Sequence, residues 1–286
     1  ANQNYMSVNH SSVYVKFKVK AKANEYFLVW TTTPWSLLAN MSLCVNQDLK
    51  YVLVESKDEF LWINKELYPT IFKNKEVIVK ELDGKELNGT EYIPLFNFFN
   101  QETYIVLNDS YVTNESGTGI VHIAPLFGAD DFRVSMDNNI INKKATNLPD
   151  FLNDEVKIKI DMNVDTLNIK NHNIMECGDI VINYLKKTNN YFKKETIVHN
   201  YPFCWRTDTP LIYLAQDCWF LNVQMIKDDM IKNNSQIEWY PKSIGINRFN
   251  NWINNSPDWC LSRNRFWGTP IPIWKCEDED CDEPYI

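Results

Sequence analysis

No stretch of this 286-residue sequence approaches the roughly 20 consecutive apolar residues that span a bilayer, so no transmembrane helix is expected. The first residues, Ala1-Asn2-Gln3-Asn4, lack the basic and apolar regions of a secretory signal. The 7 cysteines are odd in number and scattered, which reads as reduced thiols of a cytoplasmic protein and not as a disulfide framework. A net charge of −8 excludes a uniformly basic surface that coats nucleic acid, yet leaves room for local phosphate contacts wherever Lys and Arg cluster. Glycine and proline are sparse, with 8 and 12 copies; this accompanies an Asn-rich composition and carries no functional information. Internal repeats and low-complexity tracts are absent as well.

What is present is globular: 44% hydrophobic and 23% charged residues, in a length that suffices for one large or two smaller domains. Residues 1 to 11 are polar and expected to fray. Val13 to Val19 alternates apolar and polar positions, the period of a half-buried strand. A second strand, Tyr26 to Trp30, runs into Thr31-Thr32-Thr33-Pro34. Further strands are expected at Tyr51 to Glu55, Phe60 to Ile63, Val77 to Leu82 and Tyr104 to Leu107, with a hairpin turn at Asp83-Gly84 and a short helix between Lys65 and Lys73. So many short strands predict an α+β fold, predominantly β, with a barrel-like antiparallel domain and peripheral helices. Asn138 to Lys170 reads as a long polar loop with a strand near Val156 to Ile160, and Asp179 to Lys187 as a helix capped by Asp179. Composition changes near His199. Beyond it, Trp219-Phe220-Leu221 resembles a buried strand, followed by helices at Val223 to Asn233 and Ile246 to Ile253.

Three stretches carry candidate chemistry. Gly117-Thr118-Gly119-Ile120-Val121-His122-Ile123-Ala124-Pro125-Leu126-Phe127-Gly128-Ala129-Asp130-Asp131 is a short strand closing on His122, a Pro and Gly corner, and a helix with two acids in its first turn. There the helix dipole favours an ionised Asp131, an anion suited to an α-ammonium group. The same residues also read as an ordinary helix start whose acids cap backbone N–H groups. The Thr31-Thr32-Thr33 row offers stiff side chains with hydroxyls to wall a pocket, or simply a strand ended by Pro34. Finally, Arg263 and Arg265 stand among aromatics, placed either to contact phosphate and stack on a base or to snorkel from a buried cluster. Cys276 and Cys281 supply only half of a four-ligand zinc site, and no metal or cofactor is expected.

WTTTPWSLLAN (Trp30 to Asn40), GTGIVHIAPLFGADD (Gly117 to Asp131), YPFCWRTDTPLIY (Tyr201 to Tyr213) and SRNRFWGTPIP (Ser262 to Pro272) occur in the order in which similar text occurs in the isoleucyl-tRNA synthetase family. They resemble its inserted editing domain and the return toward its class I catalytic core, in a cytoplasmic, eukaryotic-like member. Valyl and leucyl relatives carry Arg after the first two Thr, where Thr33 stands here. Leu38 departs from a Pro common in relatives, and Ile123 from a Gln frequent in bacterial members. The HIGH-like and KMSKS-like motifs of aminoacylation are missing, so an excised segment without ligase activity is expected.

The resemblance implies residues 1–199 as the editing core and 200–286 as the connecting segment. It implies a deacylase that hydrolyses Val-tRNA(Ile), and possible cleavage of valyl-adenylate, by water attack on the ester. One methylene discriminates by only about 1–3 kcal/mol, a limit for which the isoleucine enzyme is itself the standard example, and a second site removes what is small enough to enter. By the same resemblance Thr31, Thr32, Thr33, Trp30 and His122 line the pocket, Asp131 holds the α-ammonium and Asn40 is a polar neighbour, while Arg263 and Arg265, by their setting among aromatics, are the candidates for tRNA contact. His122 is either a base or a pocket wall. A monomer without membrane partners is the simplest expectation. Two other readings stand beside this one: a non-catalytic module that docks the tRNA acceptor end, and a metal hydrolase built on His122, Asp130 and Asp131.

Overall fold

The computed structural model describes residues 4–73, 76–98, 104–142, 147–148, 150–159, 167–262, 270–275 and 284–285. Its first strand, β1 (Tyr5–Val19), is long because only its second half depends on apolar packing. Val13, Val15, Phe17 and Val19 enter the main core, while Tyr14 points into a second cluster on the opposite face. The polar half, expected to fray, instead pairs antiparallel with β10 (Tyr191–Pro202) from Tyr5↔Pro202 to Ser12↔Glu195. Backbone hydrogen bonds hold that ribbon whatever side chains it carries.

The same alternation divides β2 (Glu25–Thr31), β4 (Lys50–Ser56) and β5 (Glu59–Asn64). Phe27, Val29, Tyr51, Leu53 and Trp62 face the main core, and Leu28, Val52, Val54, Leu61 and Ile63 face the second cluster. The helix α1 (Tyr68–Phe72) closes that second cluster with Tyr68 and Phe72. With β6 (Val77–Asp83) and β7 (Tyr92–Ile93), these strands form a seven-stranded sheet of order β10-β1-β2-β5-β4-β6, in which β7 pairs with β1.

The fold is α+β and dominated by its sheets, but the large sheet is open, and no closed barrel is formed among the described residues. Nor is it wholly antiparallel. β5 returns beside β2 after a hairpin with β4, so β2 and β5 run parallel. Asp83-Gly84 is not a hairpin turn either: Glu86 Oε2 accepts the Asp83 N–H at 2.9 Å and the chain enters the short helix α2 (Gly84–Leu87). The strand expected near Val156 to Ile160 amounts to isolated bridges at Ile158 and Lys157 among the described residues.

A three-stranded sheet positions the site. Its centre is β3 (Ser42–Val45), buried throughout, with β8 (Val106–Asn108) parallel on one edge and β9 (Val121–Ile123) antiparallel on the other. The helix α3 (Ala129–Asp137) follows β9, and α4 (Gly178–Lys187) sends Val181, Ile182 and Leu185 into the core beside Trp35, Leu37 and Leu38. Asp179 lies in the first turn of α4, while Cys177 holds the cap position.

Two compact units divide between Ala215 and Gln216, so the composition change near His199 falls inside β10 of the first unit. The second unit contains the two-residue strands β11 (Phe220–Leu221) and β12 (Trp259–Cys260), which pair, and the helices α5 (Lys227–Asn234) and α6 (Asn250–Asn254). The segment read as a buried strand is instead exposed, Phe220 at 57% and Leu221 at 46%. Arg263, Arg265, Cys276 and Cys281 lie outside the described residues.

The Gly117-Thr118-Gly119 turn ties the two sheets together. Tyr51 donates its hydroxyl to the Gly119 carbonyl at 2.8 Å, and the Asn64 N–H reaches the Thr118 carbonyl at 2.9 Å. Gly119 has φ +70°, and a Cβ there would lie 2.4 Å from Asn64 Cβ. Gly119→Ala should therefore destabilise the chain by about 2 kcal/mol or more, read as a lowered midpoint in urea unfolding; an unchanged midpoint would show that the turn yields.

Candidate functional site

β2 ends at Thr31, and Pro34 opens a single 3-10 helix from Pro34 to Ala39. Proline fixes its own φ and forces the preceding residue out of the helical region, so the three threonines lie along a corner and not along a strand. The second wall comes from β9 and α3. Register places His122 opposite Leu43, and after Ala124 the chain turns sharply, Phe127 N–H to Ala124 carbonyl at 2.8 Å, into α3. Gly128 is required here for room: a Cβ on it would sit 2.8 Å from Asp131 Cγ.

These two corners meet in a cavity of about 370 Å³, lined by Trp30, Thr31, Thr32, Thr33, His122 and Asp131, with Trp35, Ser36 and Phe127. Residues from opposite parts of the sequence thus share one chamber. Asn40 does not line it. Its Nδ2 donates to the Ser42 carbonyl at 2.8 Å and its Oδ1 accepts the Tyr92 hydroxyl at 2.7 Å, so the buried amide is consumed in joining β3 to Tyr92. Asp130 is also elsewhere, exposed and 3.7 Å from Arg133.

Inside the cavity the hydroxyls are ordered. Thr33 N–H donates to Thr31 Oγ1 at 3.1 Å, and the two Oγ1 atoms lie 3.3 Å apart. Thr33 Oγ1 is 2.9 Å from Ser36 Oγ, which donates to the Thr33 carbonyl at 2.7 Å and lies 3.0 Å from His122 Nε2. Thr32 takes no part in this network and has no hydroxyl partner among the described residues, so it is the threonine of the row free to meet a ligand.

Asp131 accepts the Ala124 N–H at 2.8 Å. Burial outweighs that bond and pushes the carboxyl up to about 6. The sequence-based expectation of an anion favoured by the helix dipole therefore meets a larger opposing effect, desolvation. At neutral pH the group is still mainly ionised, and no lysine or arginine among the described residues lines the cavity around it. Burial also holds His122 neutral, down to about 4. Arg133 anchors the same helix from outside through two bonds to Asp109, at 2.8 and 2.9 Å.

Sequence reasoning missed Ser36, although its position three residues after Thr33 across a proline is the spacing that lets a serine hydroxyl reach back to a carbonyl. It also missed Tyr201, Pro202, Leu211, Ile212 and Tyr213, which complete the lining from the segment after β10. Tyr201 donates to the Leu211 carbonyl at 2.7 Å and so fixes that segment. Such a contact between distant parts of the chain has no local signature.

Residues 9–284 match the family described as tRNA synthetases class I (I, L, M and V). The chain is 40% identical over 289 residues to an isoleucine–tRNA ligase of Tetrahymena thermophila, covering 96% of this chain and 26% of that protein. It is 38% identical over 288 residues to the cytoplasmic isoleucine–tRNA ligase of Saccharomyces cerevisiae, covering 97% of this chain and again 26% of the relative. The chain thus spans about a quarter of the length of the curated relatives it matches. Among solved structures, the P. falciparum cytosolic leucyl-tRNA synthetase editing domain aligns with TM-score 0.49 and 11% identity, over 65% of this chain and 99% of that domain. No helix among the described residues is long and apolar enough to cross a membrane.

The two perturbed groups oppose each other in acid. An unfolded chain protonates His122 near its ordinary 6.5 while the folded one resists down to about 4, so stability falls by about 3 kcal/mol as pH drops through that window. Asp131 does the reverse: the unfolded chain ionises near 3.8 and the folded one near 6, so stability falls by about 3 kcal/mol as pH rises between those values. In Asp131→Asn that offset is gone, and the melting temperature should drop more steeply between pH 6.5 and 4.5 than in the wild type. Parallel slopes would mean that Asp131 is not buried as the geometry has it.

Proposed function

The chain belongs to the class I tRNA synthetases of the I, L, M and V group, and from that premise we propose that it is the editing segment of an isoleucine enzyme, hydrolysing valine wrongly esterified to tRNA(Ile). The observation that carries this reading is the single cavity of about 370 Å³ in which the Thr31 to Thr33 row, His122 and Asp131 meet. Its contents suit an aminoacyl ester. Trp30, Trp35 and Phe127 give apolar walls of fixed shape, Asp131 an anion for the α-ammonium, and Thr32 an unengaged hydroxyl for the ester or the attacking water.

In the proposed reaction water adds to the ester carbonyl, the bond to the terminal ribose oxygen breaks, and free valine leaves with that oxygen reprotonated. No side chain here is placed as a nucleophile, and rate comes from holding water and ester together in the correct orientation. His122 serves as a wall, since its Nε2 is engaged with Ser36 and its Nδ1 is buried. Isoleucine carries one methylene more than valine, and rejecting it at this site is the second step of discrimination that a single apolar pocket cannot supply. Valyl-adenylate carries the same α-ammonium and acyl group and is a second substrate of the site. The acceptor end of tRNA is the partner, in the cytoplasm, and the chain acts as a monomer, with the segment after Ala215, not the expected 200–286, returning toward the catalytic core.

Single-turnover hydrolysis of Val-tRNA(Ile) and Ile-tRNA(Ile) by the purified chain tests this. The expected result is preferential cleavage of the valyl ester, unaffected by EDTA, with losses of about ten- to hundredfold in Asp131→Ala and about tenfold in Thr32→Ala. Cleavage abolished by EDTA would point to a metal hydrolase. Binding of tRNA without cleavage would point to a docking module.

A further inference from the structure

Ser36 is 4% exposed and sits where three of the cavity's hydrogen bonds converge. Its single proton has one destination that cannot donate in return, the Thr33 carbonyl at 2.7 Å. That carbonyl also accepts the Ser36 N–H at 2.9 Å; with the hydroxyl proton assigned to its second lone pair, the Ser36 oxygen is the acceptor for both remaining neighbours, the Thr33 hydroxyl at 2.9 Å and His122 Nε2 at 3.0 Å. Proton counting fixes the rest of the chain. His122 carries its hydrogen on Nε2, Thr33 gives its hydroxyl hydrogen to Ser36, and Thr31 directs its own toward Thr33 Oγ1 at 3.3 Å. On the far side of the ring, His122 Nδ1 is buried with no partner among the described residues, a state rarer for an N–H than for a bare acceptor nitrogen.

Resting on the editing reading above, we infer that Ser36 is a positioning residue for hydrolysis: it locks His122 in the Nε2–H tautomer and turns the Thr31 and Thr33 hydroxyls inward, leaving Thr32 as the hydroxyl presented to the ester. Ser36 touches no substrate in this account. It acts by fixing the direction of every other hydrogen-bonding group on that wall, so that an incoming ester meets a preset pattern with little reorganisation.

Nitrogen-15 NMR of the His122 imidazole in the intact chain reads the tautomer directly. The wild type should show a protonated Nε2 and an unprotonated Nδ1; the reverse pattern overturns the inference. In Ser36→Ala the two nitrogen shifts should move toward the average of both tautomers, with kcat for valyl-ester cleavage down about tenfold and KM little changed. Ser36→Thr keeps the hydroxyl and should restore both the shifts and the rate, which a purely structural role for Ser36 would not require. Unchanged shifts in Ser36→Ala would sink the proposal. If no variant and no wild-type sample cleaves an aminoacyl ester, the editing reading fails, and the NMR result still decides the role of Ser36.

Discussion

The four residues of β3 hold the site together because both of their edges are taken. Ser42 to Val45 are buried, with the parallel partner β8 on one side and the antiparallel partner β9 on the other. A one-residue slip of β9 would turn His122 away from the cavity and bring Val121 or Ile123 into its place, because side chains alternate along a strand. Asn40 and Tyr92 reinforce that register from the end of β3, and Arg133 with Asp109 clamps α3 to the far end of β8. The cavity is the gap this arrangement leaves between the threonine corner and the start of α3.

Electrostatics gives that gap a sign. Asp131 is compensated by the Ala124 N–H and, among the described residues, by no cationic side chain lining the cavity, and burial raises its pKa to about 6. A buried carboxylate normally finds a basic partner or stays neutral. Here the helix N-terminus, the Ala124 N–H and partial access to solvent keep it ionisable, and an arriving ammonium group would complete it and lower its pKa. The neighbouring His122 remains neutral and adds no competing positive charge.

Much of this was legible in the sequence, and the limits have physical causes. Alternation found the second half of β1, and short apolar runs found β2, β4 and β5, since those strands bury both faces and tolerate only a narrow choice of residues. The polar half of β1 escaped notice because its partner β10 supplies backbone bonds that no side chain announces. Asp83-Gly84 reads as a turn in isolation, yet Glu86 reaches back to make it a helix start. At the site, motif text placed the threonines, His122 and Asp131 in one chamber. Asn40 belongs to the same text but is spent on Tyr92, and Ser36 entered only through distances of 2.7 to 3.0 Å. Asp131 as a freely ionised carboxylate was the least legible point, because desolvation depends on walls contributed from across the fold.

The account stands on recognition of an α-ammonium by Asp131. Calorimetric titration with a non-hydrolysable, amide-linked valyl-adenosine and with its counterpart lacking the amino group measures that recognition without chemistry. The wild type should bind the ammonium compound about tenfold or more tightly than the other, and Asp131→Asn should erase the difference. Equal affinities in the wild type, or a preference that survives in Asp131→Asn, would contradict it.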